Sequence, residues 1–136
     1  MAALTKGRNT PVRTGDMREP PVDGGSKIFA GAMVALNAAG FLVPFATATT
    51  LKAMGRAEQD VDNSAGADGD VRCRVATGIF CYANSASGDL IALTDIGADC
   101  YGVDDQTVAK TSGTSTRSVA GKIFDVDAHG VWVRFS

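Results

Sequence analysis

The stretch that most constrains the fold is residues 118–136, which read SVAGKIFDVDAHGVWVRFS. From residue 131 onward apolar and other side chains alternate, which is the two-residue period of a strand with one face against a core. The apolar positions of that alternation are Val131, Val133 and Phe135. Before them, residues 127–130 are small or polar and end in glycine, as in a type I turn closed by a left-handed residue. The stretch therefore predicts a β-hairpin, with arms at 119–127 and 131–135, that anchors an all-β domain.

The first half of the chain predicts further short strands separated by turns. Residues 27–36 form a first core strand, and residues 41–45 pair back on it across the turn at 37–40. Pro44 cannot donate to a strand ladder, so it lies at the end of its strand or on a sheet edge. Residues 51–61 are poorly amphipathic as a helix, and we interpret them as a strand.

The clearest strand in the middle of the chain is residues 71–81, in which the side chains alternate between two faces. The positions that share the predicted core face are Val71, Cys73, Val75, Ile79 and Cys81. Gly78 marks a bulge or a bend in this strand. A short strand or entry segment follows at 89–94 and a strand at 100–103, and residues 106–110 come next with Val108 facing inward. Short strands punctuated by glycine-rich turns predict an all-β fold, a small β-barrel or sandwich of short antiparallel strands.

Residues 1–26 differ from the rest, because they carry basic residues and prolines but hardly any large apolar side chain. Such a segment cannot offset its ordering entropy with a core of its own. It is either a tail without a role or an arm that orders along a partner, and its mild positive charge favours the arm. We therefore divide the chain into an extended N-terminal arm at 1–26 and a β-barrel-like domain at 27–136. The candidate partner contacts in the arm are Arg8, Pro11, Arg13, Arg18, Pro20 and Pro21.

Composition limits the class of function. The formal net charge is −2 and the basic residues are scattered, which argues against nucleic acid as a partner. Three cysteines without close spacing predict free thiols in a reducing compartment rather than a disulfide framework. The most apolar run, residues 28–50, contains glycine, asparagine and proline and fits two short strands better than a membrane helix. No signal peptide is predicted, so we expect synthesis and retention in the cytoplasm, or inside something assembled there.

Residues suited to catalysis or metal binding are few. The single histidine, His129, lies in the predicted hairpin turn, and Asp125 and Asp127 would share its face if the strand continued. Residues 60–70 are rich in aspartate but fail the EF-hand spacing, so we interpret them as an acidic surface loop. The acidic pair at 104–105 is typical of a cap or a solvated turn. We therefore predict no enzyme activity, no cofactor and no metal site.

Two large side chains lie on the face of the last strand that is opposite to its core-facing residues. They are Trp132 and Arg134, and an exposed tryptophan beside an arginine is typical of protein interfaces. The alternative is that both faces of this strand are buried, one by the barrel and one by the arm or a loop. The pair is our candidate subunit interface.

The order of several short motifs resembles a known family. The motifs are GSKIFAGAMVAL at 25–36, VRCRVATGIF at 71–80, DCYGVDDQTV at 99–108, AGKIFDVD at 120–127 and GVWV at 130–133. In this order, over residues 25–136, they are similar to the small capsid decoration proteins of tailed phages and prophages, also called head-stabilising or cement proteins. The whole order is more specific than any of its pieces.

The resemblance implies a β-barrel-like body on the outer surface of an icosahedral virion head, made in the cytoplasm of a bacterial host. It implies the major capsid protein as partner, a homo-oligomer that is often a trimer at three-fold positions, and no catalytic residues. Binding in the family is often made by an N-terminal extension, which corresponds in position to residues 1–26. Two other functions stay open. One is another virion β-protein, such as a head–tail connector or tail component, and the other is a β-module that binds a carbohydrate or another small ligand.

Overall fold

The computed structural model describes residues 2–13 and 15–136, and this part of the chain is built almost entirely from short β-strands. Single 3-10 turns lie at Ser87–Asp89 and Leu93–Asp95. The strands, in chain order, are β1 (Met17–Arg18), β2 (Lys27–Ile28), β3 (Met33–Leu36), β4 (Leu42–Pro44), β5 (Lys52–Ala57), β6 (Val61–Asp62), β7 (Val75–Ala76), β8 (Gly78–Asn84), β9 (Asp99–Gly102), β10 (Thr107–Ala109), β11 (Val119–Asp127) and β12 (Gly130–Phe135).

The strands form two halves. In the sheet half, residues 15–76, five strands pair in the order β1-β7-β5-β3-β4, and β2 pairs with β6 beside them. In the barrel half, residues 78–136, the strands close into a barrel in the order β10-β8-β12-β11-β9. The pair β8–β10 is parallel, and the other neighbours in the barrel are antiparallel. The all-β class and the barrel predicted from the sequence are confirmed.

Strand β3 lies between two hydrophobic cores and contributes to both. Its Met33 and Ala35 pack into the core of the barrel half, whereas Val34 packs into the core of the sheet half. Phe45, which follows β4, also enters the barrel core and is only 2% exposed. The other large barrel-core residues are Tyr82, Ile91, Val108, Ile123, Val131, Val133 and Phe135, and those of the sheet half are Val22, Ile28, Leu42, Met54, Val61 and Val75. Because the two cores share a strand, the halves form one packed body.

The hairpin predicted at the end of the sequence is confirmed. β11 and β12 pair antiparallel through Asp127 and Gly130, and Gly130 has a φ of +141°. This conformation favours glycine, as the predicted turn requires. The apolar positions of β12 are all buried, namely Val131, Val133 and Phe135. The strand is therefore central to the barrel, since it pairs with β8 on its other side.

The first core strand, predicted at 27–36, is two strands in different sheets. β2 ends at Ile28 and β3 begins at Met33, so the single-strand prediction is wrong. Gly31 in the intervening loop has a φ of +91°, and its N–H donates to Ala57 O at 2.8 Å. A positive φ cannot continue a regular strand, which is why the chain changes sheet here. Phe29 of this loop is 56% exposed instead of lying in a core.

The strand predicted at 71–81 is also divided, and its face assignment is wrong beyond Gly78. Gly78 has a φ of +145° and separates β7 of the sheet half from β8 of the barrel half, so the predicted bend is present. The bend reverses which positions face inward. The core-facing residues are Cys73 and Val75 before it, and Phe80 and Tyr82 after it. Ile79 and Cys81 lie half-buried on the other face.

The remaining strand predictions hold except at 51–61 and 89–94. Residues 51–61, predicted as one strand, form β5 and β6, which lie in different sheets. Pro44 lies in β4, the last strand of its sheet, as expected of a residue that cannot donate. Val108 of β10 points inward and is fully buried. Residues 89–94 are wrong as a strand, because the chain there runs through the two 3-10 turns.

Candidate partner interface

The start of the chain forms an exposed segment that we define as residues 2–13. All of its residues are exposed, and in the described structure none of them lies in a strand. Leu4 is 71% and Val12 is 94% exposed, so even its apolar side chains are free of the body. Arg8, Pro11 and Arg13, three of the predicted partner contacts, lie in this segment. They are available to a second molecule.

The rest of the predicted arm is part of the folded body. β1 pairs antiparallel with β7, and Pro21 continues this pairing through a bridge to Arg72. Pro20 is buried, and Val22 is 0% exposed in the core of the sheet half. The packed part of the chain therefore begins near residue 15, earlier than the boundary at 27. Pro20 and Pro21 hold the chain against the sheet half, and the sequence missed this because two prolines and a lone valine carry no strand periodicity.

The exposed segment meets the body at an edge where four arginines come together. Arg13, Arg18, Arg72 and Arg74 are exposed and line two adjacent clefts of about 470 and 230 Å³, with Glu19 contributing to both. We call these four residues the arginine edge. Among the predicted partner contacts the structure brings Arg13 and Arg18 together here, whereas Arg8 and Pro11 lie outward along the segment.

The guanidinium groups of the arginine edge are held by neutral acceptors. The described bonds run from Arg18 Nη1 to Met54 Sδ at 3.3 Å, from Arg72 Nη1 to Glu19 O at 2.8 Å and from Arg74 Nε to Gln59 Oε1 at 3.2 Å. Within the described residues none of the four arginines forms an ion pair, whereas Lys122 lies 2.6 Å from Asp99 and Arg117 lies 3.2 Å from Asp89. The edge therefore keeps its positive charge on a chain whose formal net charge is −2.

The sequence interpretation missed Arg72 and Arg74. Their signal was present, because they alternate with Cys73, whose side chain is buried, and so point away from the core. The pattern placed them on an outer face but gave no reason to join them to Arg18. Only the pairing of β1 with β7 brings the two stretches together.

The candidate subunit interface is on the outer face of β12, as predicted, but its two side chains have different neighbours. Trp132 is half-buried and its Nε1 donates to Asp127 Oδ2 at 2.9 Å. Arg134 is exposed, and its guanidinium lies 5.1 Å from the centre of the Phe124 ring. Phe124 is the extra residue of a β-bulge in β11, which turns its ring outward and leaves it 47% exposed. Aromatic and cationic groups are therefore exposed together on this face.

The acidic groups of the hairpin act as turn and side-chain acceptors. Asp127 accepts hydrogen bonds from the backbone of His129 and from Trp132, and these bonds lower the pKa of its carboxyl. Asp125 accepts from the backbone of Val126. In the part of the chain that the structure describes, no group of histidine, cysteine and acidic side chains is arranged to hold a metal ion. The hairpin geometry is that of a capped turn.

The acidic loop at 60–70 is organised by local hydrogen bonds. Asp62 accepts from Ser64, Asp70 accepts from the backbone of Ala67, and Asp68 accepts from Gly24 across the loop. These bonds use the carboxylates to fix the backbone. Within the loop, the buried Asn63 donates from its side chain to Val22 O and Asp23 O, which ties the loop to the sheet half.

The three cysteines are free thiols, as predicted. Burial raises the pKa of Cys73 and raises that of Cys100 to about 12. Burial, followed by the nearby Asp127 carboxylate, raises the pKa of the half-buried Cys81. A raised thiol pKa disfavours the thiolate, which is the nucleophilic form. The geometry therefore does not activate any of the three.

An open cleft of about 500 Å³ lies where the loop before β3 faces the loop before β10. Its lining residues are Phe29, Ala30, Gly31, Ala32, Asp105 and Gln106. Partial burial, and then the neighbouring Asp104, raises the pKa of the Asp105 carboxyl. An exposed ring beside a carboxyl and an amide is the kind of surface that can hold a small polar ligand.

Comparison with protein-family models, with curated proteins and with solved structures finds no match to this chain. Within the described residues no helix is long and apolar enough to cross a lipid bilayer.

Proposed function

We propose that this chain is a capsid decoration protein, which binds the outer surface of the major capsid protein shell of a tailed phage and stabilises the mature head. The observation that carries the proposal is the exposed segment. Twelve or so residues with Lys6, Arg8 and Arg13 leave a compact β-body at one edge and make little contact with it. Together with the motif order at 25–136, this arrangement suits a body that is tethered to a large surface by its N-terminal segment.

The physical mechanism of such stabilisation is mass action on an assembled shell. A protein that binds the assembled head but not its free subunits stabilises the head by an amount that grows with the logarithm of its free concentration relative to its dissociation constant. Many copies, each in contact with more than one subunit, add their contributions without a strong individual contact. An exposed segment that orders only on binding loses affinity to its ordering entropy but covers a long path on the partner.

The proposed assembly is a homo-oligomer, a trimer, on the outside of the virion head. The outer face of β12, with Trp132 and Arg134, is the proposed contact between copies. It supports this role because the Phe124 bulge exposes a second aromatic ring beside the arginine. Aromatic residues and arginine are enriched in protein interfaces.

The test uses heads of the phage that encodes the chain, assembled without it. Purified protein is added to the heads, and the bound copy number and the thermal stability of the heads are measured. We expect many copies per head and a higher temperature of head disruption. Absence of binding, or binding without stabilisation, contradicts the proposal, and a small ring of copies at one vertex indicates a connector instead.

The matched variant deletes residues 2–13 and keeps β1. Deletion of the whole of 1–26 would remove the buried Val22 and the strand that pairs with β7, so the body itself would be damaged. We expect the shorter deletion to fold like the full chain, to retain its thermal unfolding temperature and to lose head affinity. If it binds heads as well as the full chain does, the exposed segment is not the tether.

The cleft beside Phe29 supports a second candidate function, the binding of a carbohydrate or another small ligand. Phe29 presents an exposed ring, and Asp105 and Gln106 contribute planar polar side chains to the lining of the same cleft. A screen of oligosaccharides by nuclear magnetic resonance tests this candidate. Shifts confined to residues 29–32 and 105–106 support it, and unchanged spectra exclude it.

A further inference from the structure

The arginine edge has three properties of a docking surface that the exposed segment alone does not have. It is rigid, because Arg72 and Arg74 flank the buried Cys73 and each donates a described hydrogen bond. It is concave, because its residues line two clefts. It also carries an excess of positive charge, because its four arginines share the two clefts with one carboxylate, that of Glu19, and their hydrogen bonds go to a thioether, a backbone carbonyl and a side-chain amide.

The chain's own backbone is open at the same place. β1 pairs with β7 on one side, and on its other side the first described backbone bond comes only at Pro21, whose O accepts from Leu42 N at 2.8 Å. Within β1, Met17 therefore presents its main-chain groups at the strand edge, whereas those of Arg18 face β7. An extended polypeptide can add to such an edge through backbone hydrogen bonds.

We propose that the arginine edge docks an extended, carboxylate-rich segment of a protein partner, which, resting on the function proposed above, is a segment of the capsid shell. Arginine guanidinium groups match carboxylates in planar, two-pronged geometry. The strand edge selects a polypeptide over a nucleic acid, because a nucleic acid backbone offers no matching N–H and C=O ladder. The negative net charge of the chain points the same way.

The position of the edge fits this role. The exposed segment enters the body at Arg13, which itself lines both clefts. A partner that contacts residues 2–13 therefore passes directly over the arginine edge. The exposed segment and the arginine edge then form one continuous binding surface. The arginine edge supplies its specific charged contacts.

The experiment measures affinity for mature heads from which the DNA has been released, over a range of salt concentrations. The variant carries Arg18→Gln, Arg72→Gln and Arg74→Gln and keeps the exposed segment intact. The control removes three exposed lysines elsewhere, with Lys27→Gln, Lys52→Gln and Lys110→Gln. We expect the variant to bind about tenfold or more weakly with a flatter salt dependence, and the control to bind like the wild type.

A second variant separates charge from folding. Arg72 also anchors Glu19 O, so its loss can loosen β1, and the triple Arg→Lys variant restores the charge without the planar guanidinium. We expect it to recover part of the affinity. Equal binding by the glutamine variant and the control overturns the proposed docking surface and leaves the decoration function standing. Failure of the wild type to bind heads overturns both, and binding that appears only with DNA-filled heads overturns the protein partner.

Discussion

The two halves of the molecule solve the problem of strand edges differently. The barrel half joins its strands into a closed ring, and its longest strand, Val119–Asp127, has nine residues. The sheet half is assembled from strands of two to six residues, and the outer side of β1 stays open before Pro21. Closure removes the free edges at which another chain can pair. The difference indicates that the barrel gives the molecule its rigidity, while the sheet half presents the surface available to a partner.

The sheet half compensates for its short strands with side-chain hydrogen bonds to the backbone. Asn63 is the clearest case, since its Nδ2 lies within 3.0–3.2 Å of three carbonyl oxygens, those of Val22, Asp23 and Ala67. Gln59 and Asp60 fix neighbouring loops in the same way. The barrel half has such bonds at Asn84, and its long strands also pack around Phe45 and the apolar residues of β12. The two halves should therefore respond differently to loss of a side chain.

The strongest test of the comparison is Phe45→Ala. Phe45 follows a strand of the sheet half but fills the barrel core, so its loss should leave a cavity and lower the free energy of unfolding by about 3–5 kcal/mol. Phe29→Ala, at an exposed ring, should change it by less than about 0.5 kcal/mol. Chemical denaturation followed by tryptophan fluorescence and far-ultraviolet circular dichroism measures both variants.

We expect both signals of Phe45→Ala to move together, because the halves share β3 and this ring. Two separate transitions would show that the barrel folds without the sheet half. Gly102→Ala sharpens the test, since a Cβ at Gly102 would overlap the Phe45 ring and should cost about 1–3 kcal/mol. In the Phe45→Ala background that cost should largely disappear, as a double-mutant cycle detects.

A smaller effect is expected from Asn63→Ala, which should lower the free energy of unfolding by about 1–3 kcal/mol because carbonyl groups lose their donor. Native-state hydrogen exchange should show faster exchange at residues 22–25 and 66–70, with the β12 amides unchanged. Asn84→Ala is the matched variant in the barrel half, where the side chain bonds both N and O of Ile91. Asn84→Ala should speed amide exchange at residues 85–98 instead. Faster exchange throughout the molecule in either variant would contradict the distinction between the halves.

The smallest expected effect is on acid stability. Hydrogen bonds from Thr111 and Arg117 hold the pKa of Asp89 below its ordinary value. A lowered folded-state pKa contributes stability above the ordinary value, and that contribution is lost as the pH falls below about 4. Asp89→Asn should therefore reduce the acid sensitivity of the thermal unfolding temperature. Asp62→Asn should reduce it less, because the bonds that lower the pKa of Asp62 come from Ser64, only two residues away. A larger change in the Asp62 variant would contradict this reasoning.

The parts of the fold that the sequence predicts are those fixed by neighbouring residues. The hairpin of β11 and β12 is an example, because alternation and a glycine turn are both local. The strands at 27–36 and 71–81 fail for a shared reason. Each contains one glycine, Gly31 or Gly78, whose positive φ sends the chain into another sheet, and a hydrophobic pattern does not record the sign of φ.

The candidate interface divides in the same way. Arg8, Pro11 and Arg13 are exposed as expected, because a segment with so few large apolar residues cannot form a core of its own. Pro20 and Pro21 pack into the body, since the burial of Val22 beside them depends on strands that come later in the chain. Arg72 and Arg74 belong with Arg18 only through the pairing of β1 and β7. The arginine edge is therefore a tertiary feature, which no reading of one stretch contains.

The alternation along β3 has a consequence for how this protein can diverge. Met33 and Ala35 must fit one interior, and Val34 between them must fit the other. A substitution in β3 that suits one core must therefore also be compatible with the adjacent residue, which packs into the other core. A shift of the β3 register by one residue would exchange the two sets of core-facing side chains. Recombination therefore cannot exchange one half of the molecule without the other. The arginine edge in the sheet half should accordingly evolve together with the barrel half.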